Sequence, residues 1–335
     1  MFDQITDARS LSDALEQRGI SKQTAQNLAG LGQFGVALLP TEVAPDRPPG
    51  VTKLGGLPDL PADLHWPSRP AYPKVEKPKG FWTRLTAWLP EREVLKKQRQ
   101  YCETSQPLNF LAQINLSEIA ASAGEEYDLP ASGMVYFFYD DLEQGWGFDP
   151  SDAIGFRVLY SADMTELKQA RRPSMFEEVR FYKEVALAGE RRFEPCEFEG
   201  IHAEGLMLSQ ADREAYDDFF EHWNDWRIER SANEMGGDPA AHKLRGVPNL
   251  VQGPMEEQCA LVSQGISFGD GTAYDSPAGR AVLAQPNDWV LLLQLGSDAQ
   301  AGMQWGDMGK LFFWIKKSDL QQCRFDRGWL ILQCY

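Results

Sequence analysis

A block of eight residues occurs twice in this chain, and no other feature of the sequence restricts its fold as much. Lys53-Leu54-Gly55-Gly56-Leu57-Pro58-Asp59-Leu60 aligns with Lys243-Leu244-Arg245-Gly246-Val247-Pro248-Asn249-Leu250, with five of eight positions identical. Three further blocks follow each copy in the same order. Phe110-Leu111-Ala112-Gln113-Ile114 matches Leu291-Leu292-Leu293-Gln294-Leu295, an apolar run with a central glutamine. The stretch from Gly133 to Tyr139 matches that from Gly309 to Ile315, each a glycine turn feeding an aromatic, β-favouring run. Phe156 to Tyr160 matches Trp329 to Gln333 and closes each series. The offset between copies shrinks from 190 to 181, 176 and 173, as two versions of one unit with slightly different loops require. Apolar strands match by chance once easily, but not four times in register.

Short strands without long helices between them predict a largely antiparallel or mixed sheet rather than a doubly wound one. The expected fold is α+β: two diverged copies of a β unit packed about a pseudo-twofold axis, with added helices. The seam between like faces is a natural place for a pocket. The boundaries follow as a helical N-terminal cap over 1–44, a first unit over 45–162 with an insertion at 72–105, a helical connector over 163–242, and a second unit over 243–335.

Outside the repeat, Ser10, Ser12 and Ser21 are N-cap candidates for two short helices separated by Gly19. The connector is too long for a plain loop, and Met175–Leu187 and Ala211–Arg230 are its helix candidates. In the second of these, Phe219, Trp223 and Trp226 recur at helical spacing beside His222, a stripe that reads as core packing. In the insertion, Phe81, Leu85, Trp88 and Leu89 form one apolar helical face next to Arg84, Arg92, Lys96 and Lys97. That face docks a partner, lies on a membrane surface, or folds back onto its own domain.

The net charge of -16 argues against a nucleic-acid partner, because neutralising phosphates takes clustered Lys and Arg. A basic protein partner suits this surface better. The charge is uneven: Ser68 to Tyr101 holds nine basic and three acidic residues, whereas Asp163 to Asp238 holds nineteen acidic and ten basic. No run reaches the roughly 18 apolar residues needed to span a bilayer, and the first residues lack a signal-peptide layout. A membrane role is thus disfavoured, and the expected compartment is the cytoplasm. The five cysteines are scattered without ligand spacing and read as reduced thiols.

Nucleophile elbows, phosphate-binding glycine loops and histidine-rich metal spacings are all lacking in the sequence. No cofactor or metal is expected. The glycine-rich Gly265 to Gly271 reads as a hairpin turn. One polar constellation stands out. Gln113 and Gln294 sit in otherwise apolar strands, and a buried amide needs partners, so the pair ties strands to loops or lines a shared pocket. Asp298, Trp305 and Asp307 form the loop after the second glutamine strand, where they either cap backbone amides or build a small polar site with Gln294.

The stretches TKLGGLPDLPADLHWP, PLNFLAQINLSEI, GMVYFFYD, DWVLLLQLGSD and MQWGDMGKLFFWIKKSDL together resemble the YwqG-like family of bacterial proteins, over residues 45 to 335. The resemblance implies an α+β fold and no established reaction. The chain departs from the family pattern in two places. Tyr72 to Ser105 is an insertion, and Leu295-Gly296-Ser297-Asp298 replaces an Ile-Asp-Ser-Asp type of sequence, which removes one carboxylate from a possible metal site. The functional expectation is a non-enzymatic interaction or binding module, in one form an antidote that neutralises a basic toxin domain, since genes of the family sometimes lie beside toxin genes. The alternatives are a hydrolase using Asp298 and Asp307 at the seam, and peripheral membrane attachment through the Phe81 to Lys97 segment.

Overall fold

The computed structural model describes residues 2–41, 48–73, 93–124, 128–174, 179–197, 206–235, 242–269 and 271–335. Phe81, Leu85, Trp88 and Leu89 lie outside the described residues, so the docking face expected there has no structural account. The strands are β1 (Gln33–Thr41), β2 (Lys53–Leu54), β3 (Asp59–Leu60), β4 (Ser68–Arg69), β5 (Gln106–Pro107), β6 (Asn109–Asn115) and β7 (Met134–Tyr139). They continue as β8 (Phe156–Ser161), β9 (Lys168–Gln169), β10 (Val185–Glu194), β11 (His242–Arg245), β12 (Trp289–Gly296), β13 (Lys310–Lys316) and β14 (Trp329–Gln333). Ten of them make one sheet in the order β14-β13-β12-β11-β1-β10-β2-β6-β7-β8. Every pairing in it is antiparallel.

The strands that match in sequence take matching places. Outward from the central pair β1 and β10, one flank runs β2-β6-β7-β8 and the other β11-β12-β13-β14. Both glutamine strands carry an irregularity at the same point, between Phe110 and Ala112 and between Leu291 and Leu293. An extra residue there re-aims the side chains that follow, which bears on where each glutamine points.

The pair that joins the flanks was not legible as strands. β1 falls inside the segment read as a helical cap, and β10 inside the connector read as helical. Residues 179–184 have no regular structure and 185–187 belong to β10, so the described part of Met175–Leu187 is not helical. The reason is pattern masking: β10 carries Gly189, Glu190, Arg191 and Arg192 in mid-strand, where long side chains lie along neighbours. Arg191 stacks over the Phe34 ring of β1 at 3.7 Å. Gly265 to Gly271 is likewise not a hairpin turn but the link between helices Glu256–Ser263 and Thr272–Asp275.

Helix Ala8–Gln17 opens on Asp7, whose side chain accepts from Ser10 N in a capping box, and helix Lys22–Gly30 opens on Ser21. Both pack with the long helix Gln210–Met235 and Phe193 of β10 into a second core. Phe219 and Trp223 are buried in it, as the aromatic stripe implied.

The large sheet curls until its two edge strands face each other. Phe137 of β7 meets Phe313 of β13 with centroids 4.9 Å apart, and Phe156 of β8 meets Trp329 of β14 at 5.6 Å. The loop before β8 covers the β14 edge: Leu332 N donates to Trp146 O at 3.0 Å, and Trp329 Nε1 to Gly147 O at 2.9 Å. Covering an edge in this way removes an open hydrogen-bonding template. Only glycine fits at 147, where φ is +81° and a Cβ would lie 1.9 Å from Leu330 O.

If the curled sheet closes on this aromatic contact, Phe313→Ala should cost about 3–5 kcal/mol in urea unfolding. A loss under about 1 kcal/mol would mean that the two flanks do not share one core.

Candidate functional site

Each flank of the sheet carries a fully buried glutamine with corresponding partners. Gln113 Oε1 accepts Asp59 N at 2.7 Å, and its Nε2 donates to Asp59 Oδ2 at 2.8 Å. Gln294 Oε1 accepts Asn249 N at 2.8 Å, and its Nε2 donates to Asn249 Oδ1 at 3.0 Å. Both amides tie their strand to the Pro-Asp or Pro-Asn turn of the eight-residue block, which satisfies a polar group at no exposure.

The lysine that opens each block is buried beside its glutamine. Lys53 Nζ donates to Leu57 O at 2.7 Å and pairs with Glu184 at 2.9 Å, with Asp59 at 3.5 Å. Lys243 Nζ donates to Val247 O at 2.7 Å and to both oxygens of Glu194, at 2.9 and 2.8 Å. Burial draws the Lys243 ammonium down to about 8, against the opposing pull of Glu194. The two carboxylates sit at the ends of one strand: Glu184 just before β10, and Glu194 as its last residue.

Asp298 accepts from the Ala301 amide at 2.6 Å and lies 3.0 Å from His242 Nε2. Burial pushes the Asp298 carboxyl up, yet the His242 contact and the Ala301 amide hold it below the usual carboxylate range. Trp305 is fully buried, donates its indole N–H to Gly296 O at 3.0 Å, and packs edge-on against Tyr139 and Tyr182. Asp307 is exposed, with its carbonyl accepting Tyr335 N. Among the described residues no three His, Cys, Asp or Glu side chains group as metal ligands.

A further polar cluster fixes the end of the insertion. The buried Arg69 guanidinium pairs with Asp140 between the rings of Tyr72 and Tyr101, at 4.3 and 4.5 Å. Both phenol groups also donate to Asp140, so every donor here is spent internally.

A groove of about 710 Å³ lies within the size range of ligand sites. Residues of helix Glu256–Ser263 and of the segment 282–288 line it, together with Val247, Pro248 and Trp289. Four carboxylates line it, those of Glu197, Glu256, Glu257 and Asp288, against one lysine, Lys316. A second cleft of about 520 Å³ adjoins it and shares Gln264, Trp289 and Lys316. None of Gln113, Gln294, Asp298, Trp305 or Asp307 lines either one.

A family model described as a domain of unknown function, DUF1963, matches residues 52–334. The chain belongs to that family. No curated protein matches the sequence. The DUF1963 match covers all ten sheet strands except β1, both lysine clamps and both clefts apart from residues 30–33 of the groove. No described helix of this DUF1963 chain is long and apolar enough to cross a membrane, and its five cysteines form no disulfide.

In the sequence Lys53 and Lys243 serve only as markers of the repeated block; a lysine opening an otherwise apolar block is the signal that points to their burial. Arg157 inside Phe-Arg-Val-Leu-Tyr is a similar signal. The groove carboxylates had none, because they come from segments far apart in sequence.

Lys243→Ala leaves Glu194 buried without its cation and should cost about 3–5 kcal/mol, whereas Lys243→Met with Glu194→Leu should recover most of it. Urea unfolding of the three proteins reads both. Asp298 has a folded value below the unfolded one of about 3.9, so the native state binds fewer protons there. Its stabilisation is complete above that pH and lost as pH falls through the folded value. Asp298→Asn should therefore flatten the acid limb of the stability curve below about pH 4. An unchanged limb would show that the His242 contact carries no charge-dependent stability.

Proposed function

We propose that this DUF1963 chain is a non-enzymatic binding module whose groove takes a cationic, partly apolar segment of a protein partner. The observation that carries this reading is the charge of the groove: four acidic residues among its lining, beside apolar ones that include Leu250, Val282 and Trp289. Field lines concentrate in such a cleft and draw in positive charge, while apolar walls supply the burial that holds it. The net charge of -16 works in the same direction over longer range. A basic toxin domain held by an antidote is one partner of this chemistry.

The scaffold reading goes with it. The matching sheet flanks and the twice-built lysine and glutamine arrangement support two diverged copies of one unit about a pseudo-twofold through β1 and β10. The narrower YwqG-like resemblance fits the same picture. On this view the groove belongs to the second copy, where helix Glu256–Ser263 lines it.

Affinity capture from the source organism at low salt should retain a basic protein on the wild-type chain. Glu257→Lys with Asp288→Lys should lose it. Glu214→Lys with Asp217→Lys, an equal charge change on the exposed face of helix Gln210–Met235, should keep it. Equal retention by both double variants would sink the reading, because the attraction would then be the diffuse field that salt screens over about 10 Å.

A further inference from the structure

We propose that the second cleft, between β8 and β14, binds a small organic anion: a carboxylate or phosphate carried on a flat apolar body. This goes beyond the groove reading and does not depend on it.

The cleft of about 520 Å³ opens where the curled sheet brings its edges together. Phe156, Trp289 and Trp329 line it, so its walls are partly aromatic and suit a flat apolar body. Arg157 lines it too, and its guanidinium is half-buried. Its Nη1 donates to the carbonyls of Ala153 at 2.9 Å and Phe156 at 2.6 Å. Among the described residues it makes no ion pair, and burial alone lowers its pKa. A partly desolvated guanidinium whose other nitrogens have no acidic partner is costly in a chain with 49 acidic residues to draw on.

Two more cations line the same space. Lys316 Nζ lies 5.7 Å from the Trp289 ring centroid, and Arg327 stands at the exposed rim. Of the two carboxylates there, Asp319 is already paired with Arg324, and Asp326 is exposed. Trp289, 7% exposed, keeps an indole N–H with no acceptor. The planar fork of arginine suits a carboxylate or phosphate, and charge-assisted bonds of this kind are about twice as strong as neutral ones. The positive cleft and the acidic groove meet at Trp289 and Lys316, so one chain presents opposite charges side by side.

The test is calorimetric titration with benzoate and with phenyl phosphate, using benzyl alcohol as the neutral control. At least one anion should bind in the millimolar range or tighter, and the alcohol should not. Arg157→Gln should weaken binding about tenfold, or about 1.4 kcal/mol. Lys316→Gln with Arg327→Gln should weaken it as well, and it reads the same cleft if Arg157→Gln unfolds the chain. Glu257→Lys with Asp288→Lys should leave anion binding in place, which separates this site from the groove. Binding of one anion alone would assign the head group. The proposal is overturned if neither anion binds the wild-type chain, if the alcohol binds as well, or if the cation variants bind unchanged.

Discussion

Two buried lysines hold the halves of this protein to one strand. Lys53 from the first flank grips Glu184 at the start of β10, and Lys243 from the second grips Glu194 at its end. The ammonium groups are desolvated, so each needs the carboxylate and the carbonyl of its own turn at the same time. That demand fixes the register of β2 and β11 against the central pair. It also places the Pro-Asp and Pro-Asn turns over Gln113 and Gln294, whose amides have no water to fall back on. A polar interior of this kind is poor value as raw stability and strong as specification: few arrangements satisfy every group.

With the central pair fixed, the flanks extend to opposite edges and the twist of ten antiparallel strands brings those edges round to face each other. Phe137, Phe156, Phe313 and Trp329 fill the space between them. Closure has an electrostatic consequence. The β8 edge brings Arg157 to the cleft and the helices after the second lysine block bring acidic residues to the groove, so a strongly acidic chain carries a local positive site beside an acidic groove.

The polar residues that sequence inspection favours are those that break an apolar pattern, and breaking it has two causes. Gln113 and Gln294 break it because the interior needs hydrogen bonds at those points, and their partners are internal. Arg157 breaks it without an acidic partner inside the fold. In the sequence the two cases look the same, since partner distance in space is what separates them.

The sequence by itself determined the repeated blocks, the antiparallel character of the sheet, the two N-terminal helices and the long aromatic-striped helix, because each rests on local periodicity or on self-similarity along the chain. It did not determine that β1 and β10 join the flanks. Their pattern is broken by glycine, proline and a stacked arginine, and they become strands only through pairing with segments far away in the chain, as Gly35 with Arg245 and Gln33 with Glu194. The clamps, the closure and both clefts were likewise decided by tertiary structure, since each assembles charges and rings from segments that no local rule connects.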